Sequence, residues 1–192
     1  MHYSRGQLAA LVGWTDNQAQ NALRTGRVPT AAWGVVGSEG DLQDVPEPRD
    51  SPIAFGKRPG QRVWARFDQE QVLAVAAANV ATGAFWGCGE NARLASLIAR
   101  FLRSEGARAF DKTPPTDLYL AIVECDHEAV AAAFPSNPDP LNCRISDFAN
   151  CSMWIAQERH NAGLVRAELI DLAKIVKDVR SRAAAAGLRF PG

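Results

Sequence analysis

The stretch Tyr3–Val28, YSRGQLAALVGWTDNQAQNALRTGRV, constrains this chain most, because its punctuation admits two short helices joined by a tight turn. Ser4 followed three residues later by Gln7 makes a capping-box start. Leu8, Leu11 and Val12 then recur at helical spacing, and Ala9 is small enough to sit where a second helix crosses. Gly13 stands where a helix ends on a residue with φ > 0. Thr15 or Asp16 caps the next helix, whose inner face is Ala19, Ala22 and Leu23. Asn17, Gln18, Gln20, Asn21 and Arg24 form its outer face, and Gly26 closes it.

An ordinary αα-hairpin has the same spacing, so the outer face carries the functional expectation. A helix that is merely solvated often shows Lys–Glu pairs, and this one has almost none. It presents amides, whose geometry matches adenine, and Arg24, which suits guanine or phosphate. Downstream, Val63, Ala65 and Phe67 alternate with Arg62, Trp64 and Arg66 as in a half-buried strand. Asp68 then caps a helix with Val72, Leu73, Val75 and Ala76 on its inner side. These features predict a DNA-binding helix-turn-helix. Gln18, Asn21 and Arg24 are expected in the major groove beside Gln20, with Thr15 and Asn17 near phosphate.

Helix, turn, helix, RTGRVP, a loop, and an Arg-aromatic strand entering a capped helix together resemble the MerR/excisionase-type winged helix-turn-helix family. The resemblance runs from Tyr3 to about Thr82, without gaps to Pro29. Gly13, Gly26 and Pro29 stand where that pattern has its two glycines and proline, and Arg66-Phe67-Asp68 where it has a basic or aromatic residue before a helix cap. Two departures are visible. Gln20-Asn21-Ala22-Leu23 replaces the Arg-Tyr-Tyr-Glu run usual in MerR regulators, which places the chain nearer the excisionase-like branch or phage regulators. The wing is also swollen. The resemblance implies a winged helix-turn-helix over residues 1–82 with an extended wing loop at 34–60. Arg27, Lys57, Arg58, Arg62 and Arg66 would then contact phosphate.

The wing loop carries Pro46, Pro48, Pro52 and Pro59 and has no sustained periodicity. Loops of this length are usually functional or unstructured. Residues 38–50 set Glu39, Asp41, Asp44, Glu47 and Asp50 against Arg49 alone. Elsewhere in residues 1–67, Arg5, Arg24, Arg27, Lys57, Arg58, Arg62 and Arg66 face only Asp16. The formal net charge of the whole chain is zero, so any basic face is local and coating by nucleic acid along the length is excluded. The acidic run serves either as a solubilising linker or as a competitor for the basic wing.

The 192 residues, 47% of them hydrophobic, suffice for one large or two small domains. No apolar run reaches the roughly 18 residues of a membrane span. The start Met1-His2-Tyr3-Ser4-Arg5 lacks a signal peptide's apolar stretch, so the expected setting is cytoplasmic and nucleoid-associated, with reduced cysteines. Cys88, Cys125, Cys143 and Cys151 include no pair at zinc-site spacing, and no metal or cofactor is expected. Cys125, Asp126 and His127 read more simply as the passage from a strand into a helix than as a catalytic cluster. No phosphate loop, serine elbow or paired-histidine motif is present, so an enzyme is not expected.

Residues 83–192 read as a helical domain with a small β element, which makes the fold class mainly α. Asn91–Ser104 is amphipathic, with Leu94, Leu97, Ile98, Phe101 and Leu102 inward. Residues 118–125 form the best strand, followed by a helix at 126–133, an irregular crossing at 134–142, and helices at about 146–160 and 162–186. The strand's neighbour could be residues 63–67, a short strand near 107–110, or its copy in a second subunit. In the last helix Val165, Leu169, Leu172, Val176 and Val179 follow an a/d seam that predicts a homodimer, the alternative being that this apolar stripe packs onto its own domain. The expected function is a sequence-specific double-stranded DNA-binding transcriptional regulator of phage, prophage or mobile-element origin. The partners are DNA, a second copy and other transcription or phage proteins, with no membrane. The alternatives are an excisionase-like architectural factor and a protein-interaction module without DNA binding.

Overall fold

Six helices start on a side chain that accepts their free amide protons, and these caps set most of the element boundaries. In the computed structural model, which describes residues 2–24, 67–84, 91–113, 116–133, 140–161 and 163–191, the chain is mainly helical with a small three-stranded antiparallel sheet. The elements are α1 (Arg5–Val12), α2 (Asp16–Arg24), α3 (Gln69–Ala84), α4 (Asn91–Ser104), β1 (Tyr119–Cys125), α5 (His127–Ala133), β2 (Leu141–Ser146), α6 (Phe148–Asn161), β3 (Leu164–Asp171) and α7 (Leu172–Ala185). Ser4, Thr15 and Asp68 each exchange bonds with a glutamine three residues on, so α1, α2 and α3 all begin with a capping box. Asp126, Asp147 and Asp171 cap α5, α6 and α7. Among the described residues no helix is long and apolar enough to cross a membrane.

The fold divides into two units, one made of residues 1–99 and 178–191, the other of residues 100–177. The sequence places a boundary near residue 82 and assigns everything beyond it to one domain. Residues 178–191 instead join the N-terminal unit.

In the N-terminal unit, α1 packs on both α2 and α3. α3 is buried on every side from Gln71 to Ala78, not on the one face expected. Its run of alanines explains the difference, since small side chains let neighbours approach all round a helix. Tyr3 and Phe67 pair as an isolated antiparallel bridge through bonds of 2.8 and 2.9 Å. Of the expected strand 62–67, only Phe67 lies within the described residues. The Tyr3 hydroxyl donates to the Arg189 carbonyl at 2.8 Å, and its ring stacks on Phe190 with centroids 5.9 Å apart. Tyr3 is 2% exposed, and burial pushes its hydroxyl pKa up to about 12.

In the second unit the strand order is β2-β1-β3, antiparallel throughout, with Ile122 opposite Cys143 and Glu168. None of the three expected neighbours of β1 is the one found. Residues 107–110 form a 3-10 turn instead of a strand, and β1 pairs within its own chain with β2 and β3. β2 alternates buried Leu141, Cys143 and Ile145 with exposed Asn142 and Arg144, the period-two pattern of a half-buried strand. It falls where the sequence suggests the tail of an irregular crossing and the start of a helix. One face of the sheet packs Ala121, Val123 and Cys125 against Val130 of α5 and Cys151 and Trp154 of α6. The other face buries Leu120, Ile122, Cys143, Ile145 and Ile170.

The helix expected over 162–186 is replaced by β3 followed by α7. Gly163, at φ 61°, breaks the chain after α6, and Asp171 caps α7 at the Lys174 amide, 2.8 Å away. Pairing with β1 gives residues 164–170 a ladder of backbone bonds that a helix interrupted at both ends would not match.

Tyr3→Phe removes one buried hydroxyl and should cost about 0.5–1.5 kcal/mol at neutral pH. Because burial raises the folded-state pKa above the ordinary 10, the hydroxyl's contribution is present below pH 10 and lost as pH rises toward 12. Urea unfolding at neutral pH and at successive alkaline values should show the gap between native and variant narrowing over that interval. A constant gap would contradict the role given to this hydroxyl.

Candidate nucleic-acid interface

The α1–α2 hairpin turns on Gly13, whose φ of 76° places it in the left-handed region. Its N–H and that of Trp14 both return to the Ala9 carbonyl, closing α1. α2 then starts on Thr15, which settles the choice between Thr15 and Asp16 as the cap. The Thr15 amide donates to Gln18 Oε1 at 2.8 Å, and Thr15 Oγ1 accepts the Gln18 amide at 3.2 Å.

The face assignment follows the sequence pattern. Ala19 and Ala22 are buried, Leu23 is half-buried, and Thr15, Asn17, Gln18, Gln20 and Asn21 are exposed. Gln18 differs chemically from its neighbours, because its amide oxygen is committed to the cap. A bidentate amide contact to a base edge needs both oxygen and nitrogen, so Gln18 is less suited to it than Asn17 and Gln20. Arg24 is the last residue of α2. Arg27, Lys57, Arg58, Arg62, Arg66 and the 34–60 wing loop lie outside the described residues.

One contributor to this hairpin is not legible in the sequence. Arg182 of α7 reaches the end of α1, where Nη1 donates to the Leu11 carbonyl at 3.5 Å. A Cβ built on Gly13 would stand 3.2 Å from the guanidinium carbon and 3.3 Å from Nε. The segment that carries Arg182 is held in the same unit by the Tyr3–Arg189 and Tyr3–Phe190 contacts and by a 2.9 Å bond from Arg180 Nε to the Pro191 carbonyl. No local pattern signals a contact between residues 171 positions apart.

The five-residue seam expected for a dimer does not exist as a helical stripe. Val165 and Leu169 lie on β3, Val165 being 64% exposed and Leu169 packed against the sheet–α6 core. Leu172, Val176 and Val179 lie on α7 and are fully buried within the chain. The steps of four and three that suggested a heptad arise from a strand followed by a helix.

The cysteines behave as small hydrophobes. Cys125, Cys143 and Cys151 are buried, and Cys88 lies outside the described residues. Burial pushes the Cys125 thiol up to about 11, reinforced by Glu158, whose carboxylate accepts the thiol proton at 3.9 Å, and by Glu124. Burial also raises Cys151, whose thiol donates to the Tyr119 and Arg144 carbonyls. Among the described residues no group of three His, Cys, Asp or Glu is placed to hold a metal ion.

Comparison with protein-family models, curated proteins and solved structures finds no match to this chain. The chemistry of the hairpin must therefore be judged from its own residues.

Two outcomes follow from this geometry. Gly13→Ala forces a side chain into the left-handed region beside the Arg182 guanidinium and should destabilise the protein by about 1–2 kcal/mol, measured by thermal or urea unfolding. Glu158→Gln removes the charge that disfavours the Cys125 thiolate, so Cys125 should alkylate faster at pH 9–10 in the folded protein. Equal rates, followed by peptide mass spectrometry, would remove Glu158 from this account.

Proposed function

We propose that this protein is a sequence-specific double-stranded DNA-binding regulator of the winged helix-turn-helix type, in a phage, prophage or mobile-element setting. α1 and α2 form the reading hairpin. The observation that carries the reading is the exposed amide face of α2, set on a short helix whose other side is buried and whose start is capped. Asn17, Gln20 and Asn21 would read base edges in the major groove, and Thr15 would lie near phosphate. Arg27, Lys57, Arg58, Arg62 and Arg66 would add affinity without base discrimination. The protein acts by binding, with no reaction of its own. A short recognition helix reads few base pairs, so two copies on paired half-sites would multiply specificity.

Selection from a random duplex library by the native protein should enrich a defined motif. Asn21→Ala should then cost about 1–3 kcal/mol on the selected duplex and relax preference at one base position. Selection that enriches nothing, with no salt-dependent binding to any duplex, would defeat the DNA-binding reading and favour a protein-interaction module.

A further inference from the structure

Resting on that DNA-binding reading, we propose that Arg182 is a DNA-backbone contact brought to the reading hairpin from the far end of the chain. Three observations support it. The guanidinium lies over the Gly13 turn, three residues before the start of α2, at the end of the hairpin where the recognition helix begins. Arg182 is exposed, and its one described polar contact is the Leu11 carbonyl. A guanidinium carries five N–H donors in a fixed fork, so an arginine bound through Nη1 alone still presents donors suited to a phosphate. The long backbone bond and the close approach to Gly13 keep the group beside the turn without using up its donors.

Charge agrees with this placement. Residues 2–24 carry Arg5 and Arg24 against Asp16, which is weak for a surface that must approach a polyanion. Residues 178–191 add Arg180, Arg182 and Arg189 against Asp178. The C-terminal segment thus carries a net positive charge of its own, and Arg182 is the member of it in contact with the turn. Gly13 serves two needs at once. Its left-handed φ closes α1, and its lack of a side chain leaves room for the guanidinium.

A phosphate contact and a mere buttress for the turn separate in their salt dependence. Each phosphate neutralised by a cation contributes about 0.9 to the slope of log affinity against log salt. Arg182→Met and Arg182→Lys are compared with the native protein on a duplex enriched by the native protein and on a scrambled duplex, over about 50–200 mM salt. The Met variant should bind both duplexes several-fold more weakly, with the slope shallower by about 0.9, while the Lys variant keeps the native slope. A folded Met variant with the native slope overturns the proposal, whatever its affinity, because Arg182 then only supports the turn. Should the Met variant unfold, the native protein still decides the matter. The Arg182 side-chain Nε–H resonance must shift when the duplex is added, and an unmoved resonance in a saturated complex overturns the proposal. A native protein that binds neither duplex fails earlier and takes the DNA-binding reading with it.

Discussion

Tyr3 joins three parts of the chain that are remote in sequence, and the N-terminal unit depends on that junction. Its backbone pairs with Phe67, its hydroxyl with Arg189, and its ring with Phe190. Each bond alone is modest, on the order of 1 kcal/mol net for a hydrogen bond. Their common origin in a residue two positions before α1 is what matters. They fix where α1 begins, and through the Gly13 turn where α2 lies. Phe67 is thereby a settled point in front of α3, fully buried and bonded to Tyr3.

The sequence revealed local structure well and long-range pairing poorly, for identifiable reasons. The Ser4–Gln7 capping box, the Gly13 stop and the burial of Leu94, Ile98 and Leu102 depend on neighbours within one or two turns, and all are as expected. The exposed face of α2 was legible for the same reason. β1 was also evident, because an apolar run of this length requires burial on both faces. Its partners were not, because pairing depends on which distant segment returns. β2 was hidden by the prolines before it. β3 was hidden by a coincidence, since Leu169, Leu172, Val176 and Val179 fall at heptad spacing across a strand–helix junction. Gly163 and Asp171 were the available signals, a helix stop and a helix cap eight residues apart. Arg182 had no local signal at all.

The second unit shows how thoroughly its reactive groups are occupied in structure. Burial makes both Cys125 and Cys151 hold their protons, helped at Cys125 by Glu158, and both belong to the core on the α6-covered face of the sheet. Asp147 is held below its usual carboxylate range chiefly by the Asn150 amide, as expected of a helix cap. Glu124 pairs with Arg166 across β1 and β3, next to the register shift at Glu124/Cys125. The chemistry-bearing side chains described there are thus engaged in holding three strands and their helices in register.

The return of residues 178–191 to the N-terminal unit bears on how the protein is made in a cell. The α1–α2 hairpin is synthesised well before the carbonyl that receives the Tyr3 hydroxyl and the arginine that meets the Gly13 turn, which lie 186 positions beyond Tyr3 and 171 beyond Leu11. Domains usually complete themselves in the order of synthesis. Here the unit that holds the hairpin is completed only after the residues of the intervening sheet have been made. A nascent chain that has not reached residue 182 therefore lacks the guanidinium at the Gly13 turn.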